Sequence, residues 1–407
     1  MEIAGEVKRL KQSDNQQQKD DWRICALFAP DLPKTYSTTT VTSTLHLLEP
    51  LAQEIFVITG NFPEDAISSE KIHIINIGIK QKDNTQSPML VRIFRFMILQ
   101  LKMSYNLIKI ATKIDLVFLA AGASTLFLPA LSAKLLQKRI ILLRHGTDSF
   151  QETNKTDYQR TLFGIGKYIF PPIIDIFIRL NYVLADRLAV FVSDLTDPRL
   201  IRYTKKISLG SRFYVDTDFF KISKSVCSRK DTVGYIGRFE EIKGVMNFVK
   251  AIPLLSGEPV IAGFMIGGDG PQRGEIEKGI KNANCGDKVT LTGWIPHDKL
   301  PQHLNEIKLL VIPSYAEAGP HIVFEAMACG TPVLAAPVGV MPDVIKDGET
   351  GFIMEDNSPE CIATNIIRAL NHPNLNQIAK AACELVEREY THKVAVDRYP
   401  EISLLQK

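Results

Sequence analysis

Short apolar runs recur along the chain and alternate with longer stretches in which apolar positions return every three or four residues. The first pattern fits strands buried on both faces of a parallel sheet, and the second fits the helices that cover one. Runs at 23–28, 55–59, 72–79, 116–120, 140–143 and 188–192 predict one set of strands, and runs at 232–236, 260–266, 289–291, 309–312, 333–335 and 351–354 predict another. Between the sets lies Lys221-Ile-Ser-Lys-Ser-Val-Cys-Ser-Arg-Lys230, polar and short enough for a hinge. The alternation of strand and helix patterns gives an α/β class. A length of 407 residues also favours two units, because a single core rarely grows beyond about 250–300 residues. The expected division is a mobile polar arm over 1–20, a first unit over 21–222, the hinge over 223–230, a second unit over 231–380 and a last helical segment over 381–407.

Three apolar stretches call for closer reading. A long helix is predicted from Ser87 and Pro88 through Lys113. At about 100° per residue, Arg92, Arg95, Lys102, Asn106, Lys109 and Lys113 share one arc, and most of the remainder is apolar. A sheet needs only one apolar stripe from its covering helix. The surplus points to an anionic membrane surface met through Arg92, Arg95, Lys102 and Lys109 or to a lipid-linked acceptor, with a packed helix bearing one solvated basic face as the alternative. The uncharged stretch 116–133 has the length of a membrane span, but Gly122, Ser124, Thr125 and Pro129 divide it into a strand, a turn and a helix start. Lys167, Pro171-Pro172, Asp175 and Arg179 interrupt the third, 162–184.

Chemistry concentrates in Tyr315-Ala-Glu-Ala-Gly-Pro-His-Ile-Val-Phe-Glu-Ala-Met-Ala-Cys-Gly-Thr-Pro-Val333. Gly319 permits a turn, Pro320 suits the first helical position, and Gly330 with Pro332 stops the helix. Glu317 therefore stands on the loop before a helix and Glu325 inside it, eight residues on. That offset suits the two ends of an elongated ligand, with a diphosphate between them at the helix amino end. Upstream, Val233-Gly-Tyr-Ile-Gly-Arg-Phe-Glu-Glu-Ile-Lys-Gly244 places Arg238 and Lys243 just past a strand, where open α/β sheets bind ligands. The alternative for these cations is surface pairing with Glu240 and Glu241.

The Glu-x7-Glu segment with its Ala-Met-Ala-Cys-Gly-Thr-Pro-Val continuation resembles the family-4 glycosyltransferases, also called glycosyl transferases group 1. Phe264-Met-Ile-Gly-Gly-Asp-Gly-Pro271, Val289-Thr-Leu-Thr-Gly-Trp-Ile-Pro296 and Asp343-Val-Ile-Lys-Asp-Gly-Glu-Thr-Gly-Phe352 extend the resemblance. It implies the GT-B fold, two Rossmann-like doubly wound parallel-sheet domains facing across a cleft, with the last helix crossing back to the first domain. It implies a glycosyltransferase that moves a sugar from a nucleotide-diphosphate sugar to a lipid-linked or glycan acceptor with retention of configuration. By the same resemblance Glu317 contacts the donor sugar, Glu325 the ribose hydroxyls, and Arg238 and Lys243 the departing diphosphate. His145 at the end of the strand 140–143 approaches the reaction centre, and Gly237, Gly268, Ile295, Gly319 and Pro320 line the donor pocket. One departure stands out: members carry a Gly-Gly pair after the first strand, whereas this chain has Ala29-Pro-Asp-Leu-Pro-Lys-Thr-Tyr-Ser-Thr-Thr-Thr40. Lys34 and the hydroxyls of Ser37 to Thr40 are the groups available there.

Asp216-Thr-Asp218 looks like a metal-binding Asp-x-Asp, but it falls in Val215-Asp-Thr-Asp-Phe-Phe220, which resembles the family's inter-domain segment, where Asp serves turns. No metal and no other cofactor is expected. The six cysteines are scattered, which suits reduced thiols and a cytoplasmic enzyme, peripheral at most on the membrane. With 48 basic and 45 acidic residues, nothing favours nucleic acid as a partner. Two other readings stay open: an epimerase or hydrolase acting on nucleotide sugars with the same architecture, and a noncatalytic sensor of them.

Overall fold

The computed structural model of the chain describes residues 22–28, 34–60, 62–63, 66–78, 89–120, 122–144, 170–190, 199–209, 214–255, 257–283, 285–317 and 321–398. The strands of the first sheet are β1 (Trp22–Leu27), β2 (Ala52–Thr59), β3 (Ile72–Asn76), β4 (Leu116–Leu119), β5 (Arg139–Leu143), β6 (Arg187–Val190) and β7 (Ile207–Leu209). Those of the second are β8 (Thr232–Ile236), β9 (Gly263–Gly267), β10 (Val289–Gly293), β11 (Leu309–Ile312), β12 (Val333–Ala335) and β13 (Phe352–Ile353). The order is β3-β2-β1-β4-β5-β6-β7 in one and β10-β9-β8-β11-β12-β13 in the other, and every pairing is parallel. Each sheet grows outward on one side, then resumes on the other side of its opening strand. The order reverses between β1 and β4 and between β8 and β11, and in a doubly wound sheet ligands bind beyond the carboxyl ends at that reversal.

All four residues of β4 and of β11 are buried, which is why these strands read as continuous apolar runs. Side chains along β1 alternate: Ile24 and Ala26 pack with Val41 and Leu45, while Cys25 and Leu27 pack with Met103, Leu107 and Tyr182. Helices Met89–Ile110, Phe127–Leu135 and Phe170–Leu184 contribute to the second of these cores, and helix Lys34–Leu48 to the first. The uncharged stretch resolves into β4, a turn with Gly122 at φ +73°, and helix Phe127–Leu135. Among the described residues no helix is long and apolar enough to cross a membrane.

Where family members carry the Gly-Gly pair, the backbone from Lys34 to Thr40 is helical. No Gly or Pro interrupts the chain between Pro33 and Pro50, so a helix can begin at Lys34 and continue to Leu48. β7 was not expected, because its three residues follow directly on Lys205 and Lys206.

The polar connection at 221–230 is anchored to the second unit. Arg229 is buried, and its guanidinium donates to the carbonyls of Lys224, Leu304, Ile307 and Cys329 and to Thr331 Oγ1 at 2.6 to 3.2 Å. Burial pulls its pKa down to about 10. The helix Leu375–Glu389 stays with the second unit, where Ala382 and Val386 are buried beside Phe324 and Met327. The return to the first unit is made by His392–Arg398: His392 Nε2 lies 3.1 Å from His46 O, and Ala395 is buried in the first unit's core. Val215 on the way out bridges to Thr391 on the way back.

Candidate active site

The loops after β8, β9 and β10 are tied backbone to backbone. Gly237 N donates to Gly267 O at 3.0 Å, Phe239 N to Asp269 O at 2.9 Å, and Gly268 N to Gly293 O at 2.7 Å. Gly268 has φ +135°, and a Cβ there would overlap Gly237 O, so only glycine lets these loops approach so closely. A Cβ on Gly267 would lie 2.6 Å from Ile295 Cδ1. Gly237, Gly268 and Ile295, far apart in sequence, are thereby collected at one edge of the β8 and β11 reversal.

The loop after β11 closes the other edge. Gly244, at φ +66°, abuts Pro313 O so closely that a Cβ would overlap it, and Tyr315 N donates to Ile242 O at 2.9 Å. This contact brings Lys243 to Glu317: Lys243 Nζ donates to Glu317 Oε1 at 2.7 Å, and Ser314 Oγ donates to the same oxygen at 2.7 Å. Glu317 is buried, and its main chain is packed from a third side by Gly339, at φ +58°, where a Cβ would overlap Glu317 O. Lys243 and Ser314 thus hold the carboxylate, while the loop after β12 supports the main chain behind it. A buried carboxylate needs such partners, because desolvating it unpaired is costly.

Glu325 occupies the middle of helix His321–Ala328, whose end is marked by Gly330 at φ +63° with Thr331 N donating to Ala326 O at 2.8 Å. It too is buried, and its Oε1 lies 3.3 Å from His297 Nε2. The hydrogen bond with Glu325 raises the His297 pKa above the ordinary imidazole value. The His297 ring stacks on Phe219 at 5.8 Å between centroids and meets Phe220 edge-on at 5.3 Å, joining the site to the segment that enters the second unit.

The Arg238 guanidinium pairs with Glu240, the surface partner open to it in the sequence, and Lys243 faces Glu317. Asp216 Oδ1 accepts from the backbone N–H groups of Asp218 and Phe219 at 3.0 and 3.2 Å, which is turn capping. His145, Gly319 and Pro320 lie outside the described residues, as do the side chains of Lys34 to Thr40. Ser314 and His297 were not anticipated. Ser314 directly follows the β11 run and Pro313, a strand end that could have flagged it. His297 follows Trp294-Ile-Pro296, but its partner is 28 positions away and only the fold joins them.

Comparison with known proteins bears on the family and the fold. Residues 216–384 match the family described as Glycosyl transferases group 1. Alpha-D-kanosaminyltransferase of Streptomyces kanamyceticus is 26% identical over 305 residues, 70% of this chain and 76% of that protein. The 2-deoxystreptamine N-acetyl-D-glucosaminyltransferase of Streptomyces fradiae is 36% identical over 126 residues, 30% of each chain. For that relative and several others the match spans about half of their length or less. In fold, the chain is similar to Anabaena Alr3699/HepE in complex with UDP and glucose, with TM-score 0.70 at 16% identity over 95% of this chain and 100% of that one. It is also similar to sucrose-phosphate synthase of Thermosynechococcus elongatus, with TM-score 0.69 at 18% identity over 94% and 98%. The two doubly wound parallel-sheet units have the GT-B architecture, and residues 216–384 carry the match to the Glycosyl transferases group 1.

Proposed function

We propose that the enzyme transfers a hexosyl group from a nucleoside diphosphate sugar to a lipid-linked or glycan acceptor, with retention of configuration and without a metal ion. The observation that carries the proposal is the Lys243 to Glu317 pair at the β8 and β11 reversal, with Glu325 buried eight residues further on. Glu325 would accept from the ribose hydroxyls, and Glu317, fixed by Lys243 and Ser314, would accept from hydroxyls of the donor sugar. Arg238 and Lys243 would take up the negative charge that develops on the departing diphosphate, a role that preorganised cations perform without solvent reorganisation. The acceptor hydroxyl gives its proton to the departing phosphate oxygen on the same face, while the glycosidic bond forms and the carbon–oxygen bond to phosphate breaks. No protein nucleophile enters this scheme. His145 would stand near the reacting carbon.

UDP sugars are the first donors to try, since the similar HepE fold holds UDP and glucose. Ligand binding to the native state raises its melting temperature by mass action, so a thermal-shift series of UDP and GDP sugars ranks donors before any acceptor is known. Transfer is then followed with an acceptor panel, and the anomeric configuration of the product is read by NMR. Product of inverted configuration would sink retention. An epimer or free sugar formed without acceptor would favour the nucleotide-sugar epimerase or hydrolase reading.

A further inference from the structure

We infer that the outer surface of helices Met89–Ile110 and Phe170–Leu184 docks on an anionic lipid bilayer. Both helices contribute to the same core beneath the first sheet, and helix Phe127–Leu135 touches each of them. In the first helix Leu99, Met103 and Leu107 point inward and are buried. A separate row, Phe94, Leu101 and Ile108, is 66, 57 and 53% exposed, with Ile98 and Tyr105 exposed beside it. Residues seven apart stack in nearly the same direction on a helix, so this is a continuous apolar stripe. In the second helix Ile176 and Val183 repeat the spacing at 51 and 57% exposed, with Leu180 between them. Single exposed apolar residues are ordinary on a soluble protein, but aligned rows on two helices of one face mark a surface built to be covered.

Charge selects what covers it. Arg95, Lys102 and Lys109 each follow a member of the Phe94, Leu101 and Ile108 row, so an exposed basic row runs beside the apolar one. The sequence from Asn84 through Ile114 contains no acidic residue. On the second helix Asp175 is taken by Arg179 and Arg199. Lys109 Nζ lies 4.6 Å from the Tyr105 ring centroid, a pairing of amphipathic groups suited to the headgroup level. An apolar stripe beside basic groups matches a bilayer, which offers an acyl boundary under anionic headgroups. A second copy of the chain would instead bring two like-charged rows into one interface.

Vesicle flotation tests this directly. The protein should float with vesicles of phosphatidylcholine and phosphatidylglycerol at low salt, and recovery should fall as salt is raised. Lys102→Glu with Lys109→Glu should lower partitioning by about tenfold or more. Leu101→Asp with Ile108→Asp should lower it comparably, with circular dichroism and melting temperature unchanged in both variants. Equal recovery with phosphatidylcholine alone, or no flotation at low salt, would overturn the inference. A dimer in solution that Leu101→Asp separates would overturn it too, by assigning the face to a second copy.

Discussion

Lys243 and Glu317 meet at 2.7 Å although 74 positions separate them in sequence, because their strands β8 and β11 are neighbours across the point where the sheet order reverses. The pair should act as a unit. Lys243→Ala and Glu317→Ala are each expected to lower kcat by about 10²- to 10³-fold, the usual cost of removing one group that stabilises developing charge. The double variant should lose much less than the product of the two. Steady-state kinetics on all four proteins checks this, and fully additive losses would mean that the two residues work independently.

Glu325→Ala should weaken nucleotide binding by about 1–3 kcal/mol, the range for hydrogen bonds to a charged group, and Glu317→Ala should mainly lower turnover. Calorimetric titration with the free nucleotide separates them. If both variants bind as the parent does, Glu325 is not the ribose acceptor.

Gly339→Ala tests the support of Glu317 from behind. A methyl group there would overlap Glu317 O, and φ +58° is itself unfavourable for alanine. Turnover should fall although position 339 carries no reacting group, and the melting temperature should fall with it.

The raised pKa of His297 predicts a pH dependence with a definite sign. The folded state holds the proton more tightly than the unfolded chain, so the stabilisation is complete below about pH 6.5 and is lost as pH rises through the higher folded value. Melting temperature measured against pH should decline across this window more steeply in the parent than in His297→Asn. Glu325→Gln should bring the His297 titration, followed by NMR, back toward the ordinary imidazole value.

Turnover should survive exhaustive chelation, since the proposed mechanism gives the diphosphate charge to Arg238 and Lys243, and Asp216 is engaged in capping a turn. Loss of transfer in EDTA that manganese restores would reverse this expectation and put a metal on the donor.

Sequence reading succeeded where one local property settled the structure. The buried runs of β4, β8, β11 and β12 admit few alternatives, and their carboxyl ends located Arg238, Lys243 and Glu317. It failed where the decisive partner is remote. A lone Arg229 in a polar stretch resembles any solvated cation until Leu304, Ile307 and Cys329 close over it with their carbonyls. His297 acquires a role only because the β10 loop folds against the helix carrying Glu325. Lys34 to Thr40, rich in hydroxyls, stands where the family carries a Gly-Gly pair, yet its backbone belongs to the helix that covers β1.

The position of Ala395 orders events during synthesis. Chains commonly complete their amino-terminal domain before the next emerges from the ribosome. Here the first unit's core includes a residue from the helix His392–Arg398, encoded after the whole second sheet. The unit begun first is therefore finished last, and until that helix is made the core beside helix Lys34–Leu48 lacks one of its buried residues.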